Sequence, residues 1–168
     1  ITEIGMYAFA GLGSTLTDIT FTPGSSYKLI SDYAFQGVTF TSFEVPASVE
    51  TIGKSAFQNS KIKDITFAGN NLIQISDNAF QSSALVNFTF PSSVTIVGKN
   101  VFQTCMSLET ITINANITSI DTMLSIHYHA DNFREFIVPS NHKTLMSVDG
   151  MLLSKDGKTH SISVHRLV

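Results

Sequence analysis

The sequence predicts an α/β repeat solenoid dominated by strand. Three observations carry the prediction: an Ala-Phe pair recurring about every 23 residues, an apolar track recurring between the pairs, and prolines confined to one phase of the repeat. The pairs are Ala8-Phe9, Ala34-Phe35, Ala56-Phe57, Ala79-Phe80 and the variant Val101-Phe102, spaced by 26, 22, 23 and 22 residues. Five residues before each Phe stands Ile4, Ile30, Ile52, Ile75 or Val97. Three residues earlier again comes Tyr27, Val49, Leu72 or Val94.

The track has the form apolar-x-x-apolar-x-apolar: Leu16-Ile19-Phe21, Phe40-Phe43-Val45, Ile62-Ile65-Phe67, Leu85-Phe88-Phe90, Leu108-Ile111-Ile113 and Phe133-Phe136-Val138. Alternation of this kind puts one set of side chains inside and the intervening set in water, so each coil offers one short strand and stacked coils form a parallel sheet. Pro23, Pro46, Pro91 and Pro139 all stand just past the track, where a residue without an amide donor ends a ladder and the chain turns. The Ile-Gly-x-x-Ala-Phe stretch then turns the chain along the back. Gly5, Gly53 and Gly98 are expected to permit a tight bend there, and the phenylalanines to stack on one another.

The pattern stops after Ile120: no Ala-Phe pair occurs from Asp121 to Asn132, and a track unit returns at Phe133. Val148-Asp149-Gly150 and Asp156-Gly157 bracket short apolar runs, and Asp156-Gly157 followed by Lys158 to Ile162 is a hairpin signal. The organisation expected is therefore regular repeats over 1–120 and, over 121–168, an atypical final repeat plus a hairpin-like module that caps the stack or leads to another array.

Composition narrows the function. The chain has 168 residues, enough for one ordinary domain; 43% are hydrophobic and only 14% charged, while 21 Ser and 18 Thr supply a hydroxyl-rich surface. A net charge of -3 with ten scattered Lys and Arg argues against nucleic acid as a partner. One cysteine excludes an internal disulfide framework, and no apolar run reaches a membrane span. With no initiator Met and no signal-peptide core, the N-terminus is expected to be a cut edge within a longer chain, any export signal lying upstream.

The consensus built by these residues is a strand followed by Pro-Ser-Ser-Val-x-x-Ile-Gly-x-x-Ala-Phe-x-x-Cys-x-x-Leu. Clear instances are Pro46-Ala47-Ser48-Val49 through Ala56-Phe57, and Pro91-Ser92-Ser93-Val94 through Phe102, Cys105 and Leu108. It resembles the BspA-like leucine-rich repeat family over about residues 1 to 140, and the stretch from Ser147 to Thr159 looks like a module found between arrays in that family. The resemblance implies a right-handed superhelix with short parallel strands on one face and turns or short helical segments on the back. It also implies a non-enzymatic surface or secreted protein of a host-associated bacterium or parasitic protist. Its role would be adhesion or protein-protein recognition, with a protein ligand such as a host matrix or cell-surface protein as the partner. Val101 in place of Ala, the lost motif after Ile120 and the single Cys105 depart from the consensus.

The water-facing strand positions form two columns: Asp18, Ser42, Asp64, Asn87, Thr110 and Glu135, then Thr20, Glu44, Thr66, Thr89, Thr112 and Ile137. Asp18, Thr20, Ser42, Glu44, Asp64, Thr66, Asn87, Thr89, Thr110 and Thr112 are the candidate protein-contact face. Two readings stand beside each other, a hydrogen-bonding recognition surface and an ordinary solvated β-surface rich in Thr because Thr suits strands. Six strands of three residues present only about 240 Å². A stable interface takes about 800 Å² per partner, so loops, further repeats or multivalency must contribute. The rival function is a spacer that projects another domain and has no ligand of its own.

No cofactor, metal or catalytic group is expected. Asp18 and Asp64 lie two coils, roughly 10 Å, apart, too far to share calcium. Among the water-facing column positions only Thr110 and Thr112 form a Thr-x-Thr pair of the kind an ice-binding array would repeat. His127 and His129 share a face if extended, but His142, His160 and His165 show no metal spacing and read as surface polar residues. Cys105 reads as a buried repeat thiol, and no nucleophile, phosphate-loop or zinc-protease motif occurs. Asn87-Phe88-Thr89 and Asn116-Ile117-Thr118 match the glycan acceptor pattern, and a glycan on Asn87 would obstruct the candidate face.

Overall fold

A computed structural model describes residues 2–13, 15–114, 116–117 and 132–156. The chain winds coil upon coil, and each full coil contributes two strands. The longer ones come from the apolar track: β3 (Ser42–Val45), β5 (Asp64–Phe67), β7 (Asn87–Phe90), β9 (Thr110–Ile113) and β10 (Glu135–Ile137). The shorter ones have two residues each: β1 (Glu3–Ile4), β2 (Leu29–Ile30), β4 (Thr51–Ile52), β6 (Gln74–Ile75) and β8 (Ile96–Val97).

The short strands form a continuous parallel sheet in the order β1-β2-β4-β6-β8. The isoleucines assigned from sequence to a back turn are thus a second ladder, with Ile4, Ile30, Ile52, Ile75 and Val97 in register and four of the five buried. The long strands do not form one sheet. β3 pairs with β5, and β7 pairs with β9, which pairs with β10. The first track unit, Leu16-Ile19-Phe21, forms no strand, which corrects the expectation for that coil. Coil length supplies the reason: seven positions separate Phe9 from Leu16 against five between Phe57 and Ile62. The additional residues close a local turn in which the amides of Thr15 and Leu16 both donate to Leu12 O.

No helix occurs among the described residues, so the helical back segments are not borne out. Backbone bonding along the back explains it. The amides of Tyr33, Phe35 and Gly37 donate to Lys54 O, Ala56 O and Gln58 O of the next coil, while those of Ala34, Gln36 and Val38 close four-residue turns. Every second donor is committed to a neighbouring coil, and an α-helix needs all of them within one segment.

The bend itself is made by left-handed residues, two per coil and four apart: Tyr7 and Gly11, Tyr33 and Gly37, Ser55 and Asn59, Asn78 and Ser82, Asn100 and Thr104. Gly53 and Gly98 are not among them. Gly53 is required for close approach instead, since a Cβ there would lie 2.6 Å from Asp32 Oδ1 and 2.8 Å from Asp32 N. That carboxylate accepts from the Lys54 amide at 2.7 Å, and Asp77 repeats the arrangement with the Lys99 amide at 2.8 Å. A Cβ on Gly5 would meet nothing within 4 Å.

The core runs the length of the stack. Phe9, Phe35, Phe57, Phe80 and Phe102 form one pillar with successive centroids 5.0, 5.2, 5.3 and 5.9 Å apart. Phe43 leans against Phe35 and Phe57, and Phe88 against Phe80 and Phe102. Beside the pillar runs a ladder in which Gln36 donates to Gln58, Gln58 to Gln81 and Gln81 to Gln103 through their side-chain amides.

At the far end β11 (Leu145–Val148) and β12 (Met151–Ser154) form an antiparallel hairpin. Its turn is Asp149-Gly150, with φ of 49° and 78°, the positive pair of a type I′ turn. The turn docks on β10, where the Phe136 amide donates to Gly150 O at 2.9 Å. The hairpin signal at Asp156-Gly157 falls, from Gly157 onward, on residues outside the described set.

Candidate functional site

Within the paired segments the predicted columns are in register. Ser42 opposes Asp64 and Glu44 opposes Thr66; Asn87, Thr110 and Glu135 form one row, and Thr89, Thr112 and Ile137 the next. Ser42, Glu44, Asp64, Thr66, Asn87 and Thr89 are exposed, whereas Thr110 and Thr112 are half-buried. Asp18 and Thr20 are exposed too, but on a segment outside the ladder, where Asp18 Oδ1 accepts from the Ile19 amide at 2.8 Å. The face is therefore shorter than expected and is divided between β5 and β7.

Both interruptions are concave. Between residues 19–25 and β3 lies a groove of about 750 Å³, walled by Phe21, Pro23, Glu44, Pro46 and Ala47. Between β5 and β7 lies a second of about 460 Å³, walled by Asp64, Thr66, Asn70, Asn87, Thr89 and Pro91. Sequence reasoning missed both, and it missed Asn70 as a face residue because Asn70 lies past the strand. On β7 and β9 the Thr110 hydroxyl donates to Asn87 Oδ1 at 2.7 Å, and Arg134 pairs with Glu109 at 3.4 Å beside them.

The remaining chemistry-bearing residues are structural. Cys105 is buried, with Sγ 3.1 Å from Phe80 O and 3.4 Å from Ser83 Oγ, and burial pushes its pKa up. His142 is buried, which corrects its assignment to the surface: its Nδ1 accepts from the Leu145 amide at 3.1 Å and shapes the chain leading into β11. His127, His129, His160 and His165 lie outside the described residues. Among the described residues no three His, Cys, Asp or Glu converge as metal ligands, and no helix is long and apolar enough to cross a membrane.

The comparisons agree with this architecture. The model for the BspA type leucine rich repeat region matches residues 2–125 with six copies. The pneumococcal vaccine antigen PcpA is 32% identical, with a TM-score of 0.58 over 86% of this chain and 30% of its own. A leucine rich cell surface protein from Faecalibacterium prausnitzii A2-165 shares the fold at 22% identity, TM-score 0.64, over 94% of this chain and 34% of its own. A leucine-rich repeat protein from Eubacterium ventriosum shares it at 24% identity, TM-score 0.61, over 77% and 36%. The chain thus spans about a third of each of these structures. No curated protein matches it. With two stacked ladders, an Ala-Phe pillar and six matched repeats, the chain belongs to the BspA-type leucine-rich repeat family.

Proposed function

We propose that this chain is a non-enzymatic recognition segment of an exported or cell-surface protein, and that it binds a protein partner through its exposed strand face. The observation that carries the reading is the set Ser42, Glu44, Asp64, Thr66, Asn87 and Thr89, in register within each sheet and exposed on strands whose inward residues lie in or pack against the core. Such a surface is ordered before contact, so binding costs less conformational entropy than it would for a loop. The names of two relatives, a vaccine antigen and a cell surface protein, support placement outside the cell. Residues 1–120 would supply the face, and 121–168 a terminal or inter-array module. Neither nucleic acid nor a cofactor has a place in this reading.

The small area of the face favours a second reading, a spacer that carries another domain away from the surface. Ser42→Lys and Glu44→Lys in the parent protein separate the two. Loss of adhesion to host cells or matrix, with the far-ultraviolet spectrum and Tm unchanged, supports recognition. Unchanged adhesion supports the spacer.

A further inference from the structure

The groove between β5 and β7 has the chemistry of a ligand site. Its two coils are tied together at both ends of the strands. On one side the Val86 amide donates to Lys63 O at 3.2 Å; on the other Ser93 Oγ donates to Leu72 O at 2.6 Å. Between these ties no ladder forms, and the strands flank an open groove of about 460 Å³. Binding pockets for small molecules begin at roughly 300 Å³.

Its floor differs from the strands on either side. The inward residues Phe43 and Val45 of β3, and Phe88 and Phe90 of β7, are buried, whereas Ile65 and Phe67 of β5 are only partly covered. An apolar floor is left open here.

The walls carry polar groups held in one orientation. Asn70 Oδ1 accepts from Ser92 Oγ at 3.1 Å and from the Ser93 amide at 3.2 Å, and Asn87 Oδ1 accepts from Thr110 Oγ1. With both carbonyl ends engaged, each amide group keeps its two Nδ2 hydrogens without a partner among the described residues. The carboxylate of Asp64 and the hydroxyls of Thr66 and Thr89 stand in the same groove, and no Lys or Arg lines it.

A fitting ligand must accept from two amides, donate to a carboxylate, bring no negative charge and lay an apolar face on Ile65 and Phe67. Neighbouring hydroxyls of a sugar do the first two, and the C–H face of its ring does the last. A peptide strand inserted into the gap would need the coils about 9.6 Å apart, twice the normal strand spacing, which the two ties forbid. We infer that the groove between β5 and β7 is a binding site for an uncharged saccharide of one or two residues, a ligand class separate from the protein partner proposed above.

The test is saturation-transfer NMR on the 168-residue chain with lactose, maltose, cellobiose and chitobiose, and with sialyllactose and a tetrapeptide library as the contrasting arms. At least one uncharged sugar is expected to bind below about 10 mM. Asn87→Asp, which removes a donor and adds charge, and Asp64→Asn should each weaken it about tenfold, while Glu135→Gln, on the same face outside the groove, leaves it unchanged. The inference is overturned if no uncharged sugar binds, if only sialyllactose or peptides bind, or if sugar binding survives both groove variants at full strength. Failure of protein adhesion in the Lys variants above would leave this result untouched.

Discussion

Phe57 and Phe80 lie one coil apart with ring centroids separated by 5.3 Å and planes 11° apart, both fully buried. Phe35 continues the stack on the other side of Phe57 at 5.2 Å. The coils are held to one another by this pillar and by the backbone bonds beside it, such as Phe57 N to Ala79 O at 2.8 Å.

Removing one ring from the middle of the pillar should therefore break contacts on both sides and leave a cavity. Phe57→Ala is expected to cost about 3–5 kcal/mol. Urea unfolding monitored by circular dichroism measures it, and a cost below about 1 kcal/mol would be incompatible with the stacked core.

Gly53 should not tolerate a side chain, although its backbone conformation would accept one. Gly53→Ala would drive a methyl into Asp32 and disturb the bond from the Lys54 amide, at a cost of about 1–3 kcal/mol. Gly5→Ala, with open space around it, should stay within about 0.5 kcal/mol of the parent. Equal effects of the two substitutions in thermal unfolding would contradict the close-approach account.

Cys105 should be inert while the protein is folded. Burial raises its pKa, so the native state keeps the proton at pH values where the unfolded chain has lost it. By linkage, the native state then binds more protons, and stability falls as pH rises above the ordinary thiol range, while below that range the contribution is constant. Iodoacetamide labelling at pH 8 should be slow in buffer and fast in urea. In Cys105→Ser the alkaline fall in stability should be smaller.

Ser60 and Ser83 occupy equivalent positions in adjacent coils with different fates. The hydroxyl of Ser83 meets Cys105 Sγ, whereas Ser60 Oγ is buried without a partner among the described residues. Ser60→Ala should be neutral or stabilising by up to about 1 kcal/mol, and Ser83→Ala destabilising by a similar amount. Paired melting curves decide it, and a loss of stability in Ser60→Ala would show that the hydroxyl is satisfied in solution.

Much of the fold was legible in the chain because it depends on period alone. The alternation in Phe43-x-Val45 or Phe88-x-Phe90 places those residues inside whatever they pair with, and the spacing of Phe35, Phe57 and Phe80 matches one coil. The short ladder through Ile30, Ile52 and Ile75 was hidden because two residues per coil are too few to show an alternation. The glutamine ladder was visible in principle, as Gln follows Phe at 36, 58, 81 and 103, but only stacking turns that repetition into a chain of hydrogen bonds. The left-handed turns were misplaced because glycine is the familiar signal for them, and here Tyr33, Ser55 and Asn78 serve.

By itself, then, the chain of amino acids determined the repeat length and which side chains face inward, since these follow from local periodicity, and its consensus residues carried the resemblance to the family. Only the tertiary structure decided where the strand ladder is interrupted, and hence where the grooves on the candidate face lie. Pairing depends on how far a coil of a given length is carried from its neighbour. The two additional residues before Leu16 and the half-covered Phe67 acquire meaning only beside β3 and β7.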